Sequence, residues 1–210
     1  LRQGDSLIGA RLDDLIALLD GGRDDEKERM AAGQMSMFDA YPEFGAPLKG
    51  AVDLVRTISA RVADAAEDVE LQAAQYEEFR RTLKPYRDLA HLLTAQRFEL
   101  DIDDDQLRTI AHCLLEDEPR LPEDQQVLLD QARQLAEDQS FFHWDLEFPM
   151  VFYDPATSPL ADRTGFNTAV GNPPYQRIQD LRGHRPDHVS YFNSSFASAT
   201  GKYDIYVLFL

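Results

Sequence analysis

The sequence has little of what would place it in several common protein classes. It contains one cysteine, Cys113, so no disulfide can form within the chain and a reducing cytoplasm is the expected compartment. No apolar run approaches the ~18 residues of a membrane span, and no secretory signal is recognisable, so no membrane contact is expected. No Gly-x-Gly occurs anywhere, so the chain lacks a glycine-rich cofactor-binding loop.

Positive charge is also scarce. The 210 residues carry 21 Lys and Arg against 38 Asp and Glu, a formal net charge of −17. Phosphate contact needs cations, so this balance argues against the chain being the main surface that grips nucleic acid. One stretch differs: residues 176–188 hold Arg177, Arg182, Arg185 and two histidines against Asp180 and Asp187. That stretch fits a phosphate contact and a solvated loop equally well.

Helical spacing of apolar residues dominates the first two thirds of the chain. It predicts a helix over residues 12–19, stopped by Gly21-Gly22, and one long helix over residues 51–83. The Gly- and Pro-containing residues 23–50 between them have the composition of a linker. Three further helices are predicted from their start signals, which are Pro85, the aspartates 103–105 and Pro122.

The last third begins with shorter patterns. Residues 146–153 are strand-like, and Pro149 restricts them to an edge strand or an extended arm. Trp144, the only tryptophan, is expected to pack structurally, with a place near a substrate pocket as the alternative. Residues 188–198 fit a short helix. Residues 203–210 could be a helix or a strand, and their aromatic content favours a strand.

The most informative stretch is a β-prone run, residues 166–171, followed by Asn172-Pro173-Pro174-Tyr175. The Asn172 amide oxygen and the Pro173 carbonyl are acceptors on a backbone held extended by two prolines, and Tyr175 offers a ring for stacking. Two acceptors aimed at one amino group would leave its nitrogen lone pair free to attack a methyl donor. The alternative is a simple loop marker, although chance would produce the match only about once per thousand chains of this length.

Asn172-Pro173-Pro174-Tyr175 resembles motif IV of the amino-group DNA methyltransferases, particularly those acting on adenine N6. Three other segments extend the resemblance: residues 4–9 (GDSLIG), 142–149 (FHWDLEFP) and 202–209 (KYDIYVLF). In this order they resemble the large single-chain methyltransferases of type IIG restriction–modification systems and the related BREX-type phage-resistance enzymes. The resemblance covers both ends of the chain, and residues 21–139 only loosely. It favours a helix over residues 203–210, and we adopt that assignment.

The resemblance implies a mainly α chain with a small α/β part. It would be a fragment of a doubly wound, S-adenosylmethionine-dependent methyltransferase domain that carries a helical insertion. Residues 1–20 would supply a strand end and a helix, residues 21–140 the linker and insertion, and residues 141–210 the catalytic segment. Asp5 would accept a hydrogen bond from the cofactor's adenine and lie on a strand end next to that of Asn172. A helix-capping role is the alternative for Asp5.

The implied reaction is methyl transfer from S-adenosylmethionine to N6 of a flipped adenine, with Asn172, Pro173, Pro174 and Tyr175 as catalytic residues. Double-stranded DNA would bind through the full-length protein, and the fragment alone, without a glycine-rich loop, is expected to be inactive. No metal site is expected, because His184 and His188 lack a third ligand. Alternatives are an amino-group methyltransferase with another substrate, or a non-enzymatic helical interaction module. Nothing in the sequence indicates an oligomeric state.

Overall fold

The computed structural model describes residues 3–20, 42–60, 66–98, 100–116, 120–152 and 165–209. Helices dominate these ranges, and none is long and apolar enough to cross a membrane. In chain order the described helices are α1 Leu12–Asp20, α2 Pro42–Ala60, α3 Ala66–Thr82, α4 Lys84–Arg97, α5 Asp104–Leu114, α6 Glu123–Asp138, α7 Trp144–Glu147, α8 Pro149–Phe152, α9 Ile178–Arg182, α10 Pro186–Ser195 and a 3₁₀ helix Ile205–Phe209.

Local start signals explain where α4, α5 and α6 begin. Pro85 lies in the first turn of α4, where its missing N–H costs nothing. Asp103 and Gln106 form a reciprocal capping box at α5, with hydrogen bonds of 2.8 and 3.0 Å. Pro122 directly precedes α6. The sequence-based prediction of these three helices is confirmed.

The single long helix expected over residues 51–83 is not what forms. Two helices, α2 and α3, pack against each other, with residues 61–65 between them outside the described ranges. α2 begins at Pro42, so the linker prediction is wrong over residues 42–50, while residues 23–41 lie outside the described part. A proline is well suited to a helix start, and composition alone could not distinguish that role from a linker.

Helix α4 lies at the centre of the described core, in contact with α1, α3, α5 and α6. Its Leu89 and Leu92 are fully buried, and each such side chain contributes roughly 1.5–3 kcal/mol. Asp88, also buried, receives hydrogen bonds from Lys84 (2.7 Å) and Arg133 (3.0 and 2.7 Å). Burial alone would raise the pKa of Asp88, but these two cations outweigh it and hold the pKa below its ordinary value.

No strand occurs in the described ranges, which contain only two isolated bridges, Asp5–Phe141 (parallel) and Arg177–Asp204 (antiparallel). The strand end expected within residues 1–20 and the strand expected from the β-prone run at residues 166–171 are therefore wrong within the described part. Residues 166–171 are exposed instead, with Val170 94% accessible. A strand needs a neighbour to satisfy its backbone, and no described segment supplies one here. The mainly helical character is confirmed, whereas the doubly wound sheet and the division at residues 20 and 140 stay predictions.

The strand-like run at 146–153 also differs from expectation. Residues 144–152 form two short helical turns, α7 and α8, and Pro149 is the first residue of α8, a position that suits proline. A short apolar run cannot be distinguished from a buried helical turn by its pattern alone. The short helix near residues 188–198 is confirmed by α10, and the helix preferred for residues 203–210 appears as the 3₁₀ turn.

Candidate active site

An open cleft of about 1170 Å³ brings the two ends of the chain together. One wall comes from the segment before α1 and the other from the Asn-Pro-Pro stretch. Among the lining residues are Ser6, Leu7, Gly9, Asn172, Pro173 and Pro174. Trp144, Tyr191 and Tyr206 complete the surface between the walls.

We call residues 165–176 the Asn-Pro-Pro arm; it is anchored at both ends. At the start, the ring of Phe166 packs edge-on against Trp144, Phe148 and Phe152, with ring-centre distances of 5.7, 5.3 and 5.9 Å. At the end, the Gln176 carbonyl accepts a hydrogen bond of 2.8 Å from Ile205 N–H. The arm is therefore fixed at both ends, and its residues 169–174 line the cleft between them.

Between its anchors, the arm makes no hydrogen bond to any described residue. Asn172 is exposed and lines the cleft, so its amide group and the Pro173 carbonyl are not engaged by the described chain. Tyr175 is 83% exposed and lies outside the cleft lining. Its ring centre is 6.4 Å from that of Tyr206, which does line the cleft. Tyr175 thus lies at the cleft mouth.

The opposite wall is formed by residues 4–12, up to the first residue of α1. Asp5 N–H donates to the Ser140 carbonyl (2.7 Å), while Asp5 Oδ1 accepts from Leu7 N–H (3.0 Å) and closes a tight local turn. Asp5 Oδ2 makes no hydrogen bond to a described residue. Asp5 lines an adjoining cavity of about 390 Å³ together with Pro174. The structure therefore brings the two predicted segments together, although neither Asp5 nor Asn172 lies on a strand end.

Residues 141–145 hold this wall in place, because every second residue of the wall from Ile8 to Leu12 is hydrogen-bonded to them. Phe142 N–H donates to the Ile8 carbonyl (2.7 Å). Ala10 N–H donates to His143 Nδ1 (3.1 Å), and Leu12 N–H at the start of α1 donates to Asp145 Oδ2 (2.9 Å). Side chains replace the partners that a neighbouring strand would supply.

Trp144 takes part in both of the roles considered for it. Its Nε1–H donates to the Ser6 carbonyl (3.0 Å), and its ring packs 4.9 Å from that of Phe142. It is nevertheless 38% exposed and lines the cleft. The residue thus supports the wall and forms part of the cleft surface at the same time.

Two neutral histidines support the wall from below. Burial lowers the pKa of His91 to about 4 and that of His143 well below its ordinary value. Because His143 Nδ1 accepts from Ala10, the proton of the neutral ring is on Nε2, which donates to His91 Nδ1 at 2.8 Å. This chain of hydrogen bonds ties the wall to helix α4.

Tyr191 of α10 fixes the wall from the cleft side. Its hydroxyl accepts from Gly9 N–H (3.0 Å) and donates to the Gly9 carbonyl (3.1 Å), and burial raises its pKa. Sequence reasoning missed Tyr191, and also missed Arg97, a cleft residue paired with Asp14 at 3.1 Å. Both belong to helices whose apolar pattern indicates only a core, so no local signal distinguished them.

A polar cluster borders the smaller cavity beside Asp5. Arg185 is hydrogen-bonded to Gln139 and His188 and ion-paired with Asp187 at 3.3 Å. Burial, followed by the nearby Arg185 charge, lowers the pKa of His188. The contacts with Arg185 and Gln139 hold the His188 ring in place, so this cluster has a structural role.

Comparison with known families decides the class of the protein. The model of the Eco57I restriction-modification methylases matches residues 66–210, more than half of the chain. The chain belongs to this family. It is thus a restriction-modification methyltransferase, and systems of that kind act on DNA. No curated protein and no solved structure matches the chain significantly.

Proposed function

We propose that this Eco57I-family protein methylates N6 of an adenine that has been flipped out of DNA into the cleft. The observation that carries the proposal is the Asn-Pro-Pro arm. Asn172 and Pro173 both line the cleft, and no described residue engages the Asn172 amide oxygen or the Pro173 carbonyl. Two such acceptors fit the two hydrogens of one exocyclic amino group.

The arm's residues would act mainly by positioning. Flipping costs a few kcal/mol, and stacking of the extruded base on Tyr175 at the cleft mouth would recover part of that cost. Hydrogen bonds from N6 to Asn172 and Pro173 would then fix the nitrogen with its lone pair directed into the cleft. These preset dipoles also stabilise the positive charge that develops on N6, whose proton leaves to solvent after transfer.

S-adenosylmethionine, the methyl donor that methyltransferase membership implies, supplies a sulfonium methyl group when bound. The described residues fit part of it. Asp5 Oδ2 has no hydrogen-bond partner among them and borders a cavity shared with Pro174, which suits an acceptor for the adenine edge of the cofactor. The sequence contains no Gly-x-Gly loop for the methionine part. We therefore assign only the adenine contact to this chain.

The decisive experiment is Asn172→Ala in the full-length protein. We expect methyl incorporation into unmethylated genomic DNA to fall by about 100-fold or more, the usual effect of removing one preset dipole. Nucleoside analysis of the wild-type product should show N6-methyladenine.

The matched control is Asn167→Ala, because Asn167 is an exposed asparagine of the same arm that does not line the cleft. It should methylate at close to the wild-type rate, and thermal melting should show both variants folded. More than a tenth of wild-type activity in Asn172→Ala would refute the catalytic assignment. N4-methylcytosine as the product would refute the choice of adenine.

A further inference from the structure

A short antiparallel backbone pairing continues the chain immediately beyond Tyr175. Ile178 N–H donates to the Tyr203 carbonyl (3.0 Å), and Ile205 N–H donates to the Gln176 carbonyl (2.8 Å). Arg177 lies at its centre, opposite Asp204. This pairing joins the arm to the 3₁₀ helix that lines the cleft, so residues on it hold a fixed position beside the site.

Three exposed cations lie on the pairing or next to it. Arg177 is part of it, Lys202 immediately precedes Tyr203, and Arg182 ends helix α9. Arg182 lies near enough to Tyr203 to act on its pKa, which burial raises and the Arg182 charge lowers in part. We call Arg177, Arg182 and Lys202 the cationic surface.

None of these three side chains forms an ion pair with a described residue. The neighbouring Arg185 differs, because Asp187, Gln139 and His188 occupy it. Asp180 and Asp204 are the other acidic residues of this part of the chain, and neither lies within ion-pair distance of the cationic surface in the described structure. The three charges are therefore available to an external anion.

The part of the chain that carries the cationic surface has slightly more basic than acidic residues, unlike the chain as a whole. Residues 165–209 contain four Lys or Arg (177, 182, 185 and 202) against three Asp (180, 187 and 204), so the acidic excess behind the net charge of −17 lies elsewhere in the chain. At physiological ionic strength charges are screened over about 8 Å, so a polyanion at the cleft responds mainly to the local cations.

We propose that Arg177, Arg182 and Lys202 bind backbone phosphates of the DNA strand whose base enters the cleft. The assignment to that strand rests on the proposed function. Arg177 follows Tyr175 by two residues, about 7 Å of extended chain, so a phosphate close to the extruded nucleotide is within its reach. Phosphate contacts of this kind fix the register of the duplex without reading its sequence.

The test measures the salt dependence of binding by the full-length protein to a mixed-sequence duplex of about 30 base pairs. Fluorescence anisotropy at several salt concentrations gives the slope of log K against log salt. Each of Arg177→Gln, Arg182→Gln and Lys202→Gln should reduce that slope by about 0.9, and the triple variant by about 2.7. At 0.1 M salt each lost contact corresponds to about eightfold weaker binding.

Lys49→Gln and Arg81→Gln are the matched controls, because both residues are exposed and neither forms an ion pair with a described residue. An unchanged slope in the controls supports the cationic surface. An equal reduction in the controls would assign the effect to net charge and overturn the inference, as would an unchanged slope in the triple variant.

The same titration on Asn172→Ala separates this inference from the proposed function. Its salt slope should equal that of the wild type, because Asn172 contacts a base and not a phosphate. If the cationic variants lose slope but the wild type never forms N6-methyladenine, the surface stands and the proposed reaction fails. If Asn172→Ala abolishes methylation while the triple variant binds with unchanged slope, the reaction stands and the surface fails.

Discussion

At the scale of single residues, Tyr175 is a side chain whose role lies outside the stability of the fold. Its side chain is 83% exposed at the cleft mouth, and its hydroxyl makes no hydrogen bond to a described residue. An exposed aromatic ring contributes little to folding, because almost none of its surface is removed from water. A role for Tyr175 must therefore come from what it contacts in a complex.

We expect Tyr175→Phe to be much milder than Tyr175→Ala in single-turnover methylation. Stacking uses the ring face and contributes about 1–3 kcal/mol per base, so loss of the ring should reduce the rate substantially while loss of the hydroxyl should not. Thermal melting should be nearly unchanged in both variants. Equal losses of rate would show that stacking is not the role of this residue.

Tyr191 has the opposite character, because it is buried and its hydroxyl is fully used. Tyr191→Phe would leave both the N–H and the carbonyl of Gly9 without their partner, and we expect the free energy of unfolding to fall by about 1–3 kcal/mol. Urea titration measures the change. Tyr203→Phe is the control, since the Tyr203 hydroxyl makes one bond of 3.2 Å, to the exposed Asn193. Similar losses in the two variants would contradict a special role for the Gly9 contact.

At the scale of elements, the wall formed by residues 4–12 behaves like a strand without a neighbouring strand. Its amides are satisfied by the His143 ring and the Asp145 carboxylate, as well as by backbone carbonyls. The FHWD motif at residues 142–145 thus supports the wall through these hydrogen bonds. The sequence predicted a packing role for Trp144, with a place near a substrate pocket as the alternative. The hydrogen bonding through the side chains of His143 and Asp145 could not be derived from it.

Gly9→Ala tests how closely the backbone of the FHWD motif approaches the backbone of the wall. A Cβ at Gly9 would lie 2.1 Å from the Phe142 carbonyl oxygen, which is backbone and cannot rotate away. We expect a loss of about 1–3 kcal/mol in unfolding free energy, together with weaker substrate binding, because Gly9 lines the cleft.

Gly50→Ala is the control, since nothing lies within 4 Å of a Cβ at that helical position. Alanine is favoured over glycine inside a helix, so this variant should be neutral or slightly more stable. A Gly9→Ala protein as stable as the wild type would mean that the two backbones separate easily.

For the molecule as a whole, the His91–His143 pair makes stability depend on pH. Burial lowers the pKa of His91 from 6.5 to about 4, so below pH 6.5 the unfolded chain binds a proton that the folded chain does not. Stability should therefore be complete above about pH 6.5 and should decline as the pH falls towards 4, by at most about 3 kcal/mol from this group. Urea titrations across this range measure the decline.

His91→Asn should flatten the decline, because its amide oxygen can replace Nδ1 as acceptor without titrating. The control is His112→Asn, since His112 is exposed on α5. A decline that is equally steep in His91→Asn and in the wild type would show that other groups govern the pH dependence.

The sequence by itself determined the helices with strong start signals, and it supplied the tetrapeptide on which the proposed function rests. Proline at a helix start and an Asp–Gln capping box act through neighbouring backbone groups, so Pro85 and Asp103 could be interpreted locally. The tetrapeptide at residues 172–175 likewise carries its acceptors and ring within four positions. Only the tertiary structure decided which segments face one another.

The contacts of Tyr191 with Gly9, of His143 with Ala10 and of Asp145 with Leu12 join residues more than 130 positions apart. They exist because the helical core brings both ends of the chain to one side. The strand predicted for residues 166–171 did not form, because no described segment of the fold lies alongside it as a pairing partner. An apolar run becomes a strand only if another segment pairs with it, and that depends on distant parts of the fold.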